Sequence, residues 1–202
     1  MSKFDLSEEE AKAYPNLETA IREDLNNYLD MTAEEDRQRL NESFDPSMLQ
    51  DEYFNGLSIE GSAGILRADE NFFSVVISKN VWLGGQHPST ARICFNYSTQ
   101  DGSLIVPSDI FTSKADLIAA LKEKLKAIPD VEYFNLDEDL EMYDFEHGPM
   151  ADNIAFSMGI TDDGIVFTKK VDDAHITIEA ESTGSSDSHY YDRQVKVLIE
   201  FK

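Results

Sequence analysis

The stretch WLGGQHPSTARICFNYSTQDGSLIVPSDIF, Trp82 to Phe111, decides the fold. Gly84 and Gly85 are adjacent residues free to take positive φ, so a strand ending at Trp82 and Leu83 turns sharply there. Pro88 fixes its own φ and pushes His87 toward an extended conformation, which makes the corner rigid. From Arg92 to Ser98 the residues alternate. Ile93, Phe95 and Tyr97 share one face, and Arg92, Cys94 and Asn96 the other, as in a strand covered mainly on one side. Asp101 and Gly102 supply the dipeptide that tight hairpins favour, and Leu104 to Val106 reads as the returning strand, ended by Pro107. Ile110 and Phe111 give an apolar anchor, and Ser113 with Asp116 three residues on reads as the cap of the helix that follows.

Working outward, the first fifty residues read as helices. Ser7 with Glu10 is a capping box, and Pro15 limits the first helix to a couple of turns. Leu17, Ile21, Leu25, Tyr28 and Leu29 then form an apolar stripe suited to a sheet face, and Thr32 with Glu35 reads as a further cap before Asp45 and Pro46 end the period. Beyond Tyr53 the period becomes two. Leu57 and Ile59 alternate, the pattern resumes at Ile65 and Leu66 after Gly61 and Gly64, Asp69 to Asn71 turn, and Phe73, Val75 and Ile77 return. Leu117, Leu121, Leu125 and Ile128 mark an amphipathic helix at about 113–128. Later strands are Ala155 to Met158, Ile165 to Thr168, Ile176 to Ala180 and Val195 to Phe201, with a turn at Asp162 to Gly164 and a polar loop from Ser182 to Ser188. The expected architecture is one α+β domain over 1–202: a helical part over 1–52, then a mostly antiparallel sheet over 53–202 with helices on one face.

The order GGQHP, FNYSTQDG, LIVPSDIF resembles the extracytoplasmic domain at the C-terminus of RsiV-type anti-sigma factors, also found beside bacterial polysaccharide deacetylase domains. The matching positions are Gly84, Gly85, His87, Asn96, Tyr97, Gly102, Asp109, Ile110 and Phe111, with Pro88 in the same corner. ITDDGIVF, Ile160 to Phe167, is similar to that family's later hairpin. The chain departs from the pattern at Gln86 and after Phe167, where TKKVDDAHITIE replaces a tyrosine-rich, proline-containing segment. The resemblance implies a location outside the cytoplasmic membrane. It also implies a partner of the kind taken by the family's receptor domain that captures lysozyme, a basic protein.

Composition narrows the chemistry. The 202 residues carry 40 acidic and 17 basic side chains, a net charge of −23, which disfavours nucleic acid and anionic lipid and favours solubility or basic partners. The single cysteine, Cys94, excludes an intrachain disulfide and reads as a buried, inert thiol. MSKFDLSEEEAKAYP lacks the apolar core of a signal peptide, and no run suits membrane insertion, so a cytoplasmic location stands beside the envelope one.

Candidate site residues are few. Asp130 to Glu146 interleaves acids and aromatics without Lys or Arg, so Tyr133, Asp137, Glu138, Asp139, Glu141 and Tyr143 read either as a docking surface or as a solvated segment pinned to the core. The run DEDLEMYDFEHG lacks the glycine an EF-hand loop needs at its sixth position. His87 reads as a ligand contact, with Trp82 as an aromatic platform, or as a histidine tying loop carbonyls together. His147, His175 and His189 follow no metal-ligand spacing, so neither a metal nor a cofactor is expected. GxSxG, GxxxxGK[ST] and GxGxxG are all missing, and forty acids are too many to single out a catalytic pair. The leading expectation is a noncatalytic binding or sensing module of the cell envelope that recognises a basic protein or envelope component through its acidic surface. Its rivals are an acidic cytosolic inhibitor of the immunity-protein or nucleic-acid-mimic type, and a glycan hydrolase using two carboxylates.

Overall fold

A computed structural model describes residues 3–50, 56–83, 89–125, 144–147, 157–171 and 193–199. Helix α1, Glu8–Ala13, starts at Ser7, whose side chain and Glu10 form the reciprocal capping box. Pro15 opens α2, Pro15–Ala20, at the position where its missing N–H costs nothing. A π-helical turn, Ile21–Leu25, joins α2 to α3, Asn26–Ser43, so the Asn26 N–H reaches back to the Ile21 carbonyl. That wide turn brings both Leu25 and Asn26 to the buried side. Thr32 does not cap a new helix. It sits inside α3, its hydroxyl donating to the Tyr28 and Leu29 carbonyls, because the chain before it is already helical. A short 3₁₀ turn at Pro46–Gln50 follows.

The strands form two three-stranded antiparallel sheets in the orders β1-β2-β3 and β4-β5-β6. Strand β1, Leu57–Ala68, runs unbroken through Gly61 and Gly64, because pairing with β2, Phe72–Leu83, overrides their poor strand propensity; a register shift falls between Ile65 and Arg67. Asp69 builds the intervening turn, its carboxylate accepting from the Asn71 and Phe72 N–H groups. Strand β3, Ser89–Ser98, pairs with β2 so that Phe73 faces Tyr97, Val75 faces Phe95 and Ser74 faces Asn96. Phe73, Val75, Ile77, Phe95 and Tyr97 meet the stripe Leu17, Ile21, Leu25 and Leu29 in one core. Each of these buried side chains contributes about 1.5–3 kcal/mol of burial.

The opposite face of β3 is covered as well, contrary to the one-sided strand expected. Strand β4, Ser157–Ile160, lies on it, and Cys94 and Asn96 are both buried. Burial raises the Cys94 thiol above its usual range, as the inert reading requires. Gly159 permits the approach, since a Cβ there would fall 2.5 Å from Leu66 Cδ1 and 3.1 Å from Cys94 Sγ. The ITDDGIVF hairpin forms as expected: Ile160 pairs with Ile165, the first residue of β5, Ile165–Val171, and the Thr161 N–H donates to the Gly164 carbonyl at 2.7 Å. Strand β6, Arg193–Ile199, completes this sheet. The expected strands at Ile176 to Ala180 and at Ala155 and Phe156, and the loop Ser182 to Ser188, lie outside the described residues.

Leu104 to Val106 is not a full strand; it makes an isolated bridge, Leu104 to Tyr97. Pro107 opens a short helix, α4, Pro107–Ile110, rather than closing a strand, and Asp109 accepts from the Val106 N–H. Phe111 then packs its ring 6.1 Å from that of Phe167 on β5. Helix α5, Lys114–Leu125, starts at the expected Ser113 cap, buries Leu117 and Leu121, and lies against β6.

The Asp101–Gly102 turn is also docked. Gly102 takes φ +74°, and a Cβ there would meet the Asn16 carbonyl, whose carbon is 2.6 Å away. Gly102→Ala is therefore expected to destabilise the protein by about 2 kcal/mol, from left-handed strain plus overpacking against backbone that cannot move aside. Urea unfolding measures it, and an unchanged midpoint would show that the turn does not bear on α2.

Candidate functional site

A cavity of about 370 Å³ opens between the N-terminal segment and the β1–β2 turn. Its floor is apolar and buried, formed by Leu17, Ile21 and Phe73. Phe4, Leu6, Tyr14 and Phe72 make half-buried walls, and Ile65, 61% exposed, stands at the mouth. Four exposed carboxylates, Asp5, Glu10, Asp69 and Glu70, line the same cavity.

Each wall is held by polar contacts. The N-terminal segment is gripped by Asn26, 6% exposed, which accepts from the Phe4 N–H at 2.9 Å and donates to the Phe4 carbonyl at 2.9 Å. The amide thus pairs with one residue of an extended chain as a neighbouring strand would. Lys3 adds an ion pair to Asp30, and Phe4 meets Phe73 edge to face with centroids 6.5 Å apart. On the opposite side the β1–β2 turn is tied to the end of β3: Thr99 N–H donates to the Asn71 carbonyl, Thr99 Oγ1 to the Asp69 carbonyl and Gln100 Nε2 to the Glu70 carbonyl.

The carboxylates differ in how they are compensated. Glu10 is held below the usual carboxylate range by the Ser7 hydroxyl and N–H. Asp69 is lowered by the Asn71 and Phe72 N–H groups and by Arg67, whose Nε donates to Oδ2 at 2.6 Å. Arg67 also lies 4.7 Å over the Phe72 ring and reaches Asp162 and the Thr161 carbonyl, so it links this turn to the β4–β5 hairpin. Asp5, Glu10 and Glu70 make no ion pair among the described residues. An apolar floor beneath uncompensated negative charge can accept a group that is both apolar and cationic.

Of the residues singled out from the sequence, the described ones do not line this cavity. Trp82 is half-buried near the end of β2 opposite Ser58, and its indole N–H is sealed from solvent without a hydrogen-bond partner among the described residues. Asn96 and Tyr97 are fully buried, and Gly102, Asp109 and Phe111 hold turns and packing. Tyr97 stacks on Phe95 at 6.5 Å, its hydroxyl raised above the ordinary tyrosine range by burial and by Asp24. His87 with Gly84, Gly85 and Pro88, and the segment bearing Tyr133, Asp137, Glu138, Asp139, Glu141 and Tyr143, lie outside the described residues. The cavity residues come from three separated stretches with no shared period. The one sequence signal was Asn26 beside the otherwise apolar stripe.

Among the described residues no group of His, Cys, Asp and Glu could hold a metal ion, and no helix is long and apolar enough to cross a membrane. No family model matches the chain, and no curated protein matches it. Two similar solved structures are DUF3298 family proteins. A member from Bacteroides fragilis is 18% identical, with 95% of this chain and 71% of that chain covered at a TM-score of 0.49. A DUF3298 family protein from Pseudomonas aeruginosa is 16% identical, with 82% and 72% covered at a TM-score of 0.39.

Proposed function

We propose that the protein is a noncatalytic binding or sensing module that recognises a basic protein or cell-envelope component through its acidic surface, with the acid-lined cavity at the centre of recognition. The observation that carries this reading is the cavity itself, an apolar floor beneath carboxylates that the rest of the described fold leaves largely uncompensated. A net charge of −23 adds a long-range attraction for a basic partner. The likeness to the RsiV-type domain supports the envelope setting and the basic partner. Glu10 and Asp69 are both lowered, whereas a glycosidase acid is raised so that it holds its proton at neutral pH. The two carboxylates with a resolved shift are therefore poor proton donors at neutral pH.

The test is binding to a panel of basic proteins, lysozyme among them, with acidic proteins as controls. Capture of a basic member at about 50 mM salt that weakens steeply by about 500 mM is expected, because screening shortens the reach of exposed charges. Binding that ignores ionic strength, or that favours the acidic controls, overturns the reading.

A further inference from the structure

We infer that the cavity seats one long-stemmed cationic side chain, a lysine or arginine presented by a partner protein, with its stem on Leu17, Ile21 and Phe73 and its charged head among Asp5, Glu10 and Glu70. This inference rests on the proposed binding function and names the element of the partner that the site takes.

Charge selects first. An anionic ligand would meet Asp5, Glu10, Asp69 and Glu70, and Arg67, the cation beside Asp69, is already engaged by Asp69 and Asp162. A bare metal ion suits the floor no better, since Leu17, Ile21 and Phe73 offer it no oxygen, and hard cations need several. A purely apolar group would fill the floor but leave the carboxylates without a counter-charge. Lysine and arginine satisfy both levels, because their methylene stems bury against apolar surface while the head remains in water. The Phe4 and Tyr14 rings in the wall add faces on which such a cation gains further attraction.

Acceptor capacity points the same way. Both Asp69 oxygens are occupied, Oδ1 by the Asn71 and Phe72 N–H groups and Oδ2 by Arg67. Glu10 uses Oε2 on Ser7. Asp5 and Glu70 make no side-chain hydrogen bond or ion pair among the described residues, so they are the carboxylates open to an incoming head group. The volume, about 370 Å³, sits at the small end of ligand pockets and suits one side chain rather than a folded segment. Exposed Ile65 at the mouth supplies apolar contact for the backbone that presents it.

The experiment titrates the full-length, isotope-labelled protein with blocked alanine pentapeptides whose central residue is lysine, arginine, norleucine or glutamate. The lysine or arginine peptide is expected to shift the amides of Phe4, Leu17 and Phe73, with norleucine at least about fivefold weaker and glutamate silent. Asp5→Asn and Glu70→Gln are each expected to weaken the lysine peptide about threefold without altering the fold, since these are exposed charges. They are preferred to Glu10, which also caps α1. Norleucine binding as tightly as lysine, or spermidine occupying the cavity while both basic peptides leave it unmoved, overturns the inference. If basic proteins still bind in a salt-dependent way while the cavity amides do not respond, the seat is wrong and the wider function stands. If neither binds, the function itself fails.

Discussion

Asn96→Leu is expected to lower the unfolding free energy by about 3 kcal/mol, although the residue is far from any exposed surface. Its side-chain amide does for β4 what a further strand would do: Nδ2 donates to the Met158 carbonyl at 2.7 Å and Oδ1 accepts from the Ile160 N–H at 2.9 Å. Ser74 completes the set, donating to Asn96 Oδ1 at 2.6 Å and accepting from the Ile160 N–H at 3.1 Å. Leucine removes a donor and an acceptor at once. The Met158 carbonyl and the donor proton of the Ser74 hydroxyl are then left buried without partners, each costing about 1–3 kcal/mol, while the Ile160 N–H still donates to the Ser74 oxygen. Urea unfolding reads the loss. A thiol reagent reads its location, because Cys94, 3% exposed beneath β4, should be modified faster in the variant. A change below about 0.5 kcal/mol with Cys94 still protected would mean that apolar packing alone holds the two sheets together.

Asn96→Asp separates the two halves of that amide. It keeps an acceptor for Ile160 but sets a buried carboxylate against the Met158 carbonyl, so burial must raise the new group's pKa. A carboxyl raised in the folded state imposes its full penalty above that raised value. The penalty fades as pH falls toward the ordinary carboxylate range, where the protonated group again donates to Met158. The variant should therefore lose least stability, relative to the parent, in mild acid. A gap that widens on acidification would contradict this geometry.

The parts of the fold legible in the sequence are those specified within a few residues. Ser7 with Glu10, Ser113 with Asp116, the Asp101–Gly102 turn and the ITDDGIVF hairpin all carry their own hydrogen-bonding partners, and all form. The failures share a different cause. Thr32 with Glu35 has cap spacing, but spacing cannot show that the preceding residues are already helical. Gly61 and Gly64 looked like breaks because cross-strand pairing to Lys79 and Val76 is invisible to a local reading. Asn96 reads as a solvent-facing residue in an alternating strand unless the arrival of β4, more than sixty positions later in the chain, is known. Asn26 stands out beside an apolar stripe, but its partner Phe4, 22 positions away, is equally invisible to a local reading. Two buried asparagines, each gripping extended backbone from elsewhere, thus carry the long-range assembly, and one of them builds a wall of the cavity.

Asp36→Ala is expected to cost about 3 kcal/mol, far more than an exposed ion pair would, because its partner cannot regain water fully. Asp36, 6% exposed on α3, pairs with Lys79 on β2, whose side chain is 21% exposed and stands on the same face as Ile77 and Val81. The inner half of α3 is held to the sheet by Leu29 and by the Tyr28 ring, 5.0 Å from Phe95, whereas Asp36 is the buried residue of its outer half. Removing it leaves the Lys79 ammonium without an ion-pair partner among the described residues. Amides over residues 36–43 should then exchange faster than those nearer Leu29. Tyr28 gives an independent reading, since its phenol is pushed up to about 12 by burial first and then by the charges of Glu35 and Asp36; it should titrate lower in the variant. Asp36→Leu combined with Lys79→Met should recover most of the loss, because a well-packed apolar pair avoids the desolvation that the ions suffer. A single-variant cost under about 1 kcal/mol, with Tyr28 unmoved, would place the pair among solvent-screened surface contacts and leave the outer half of α3 to be held by its backbone alone.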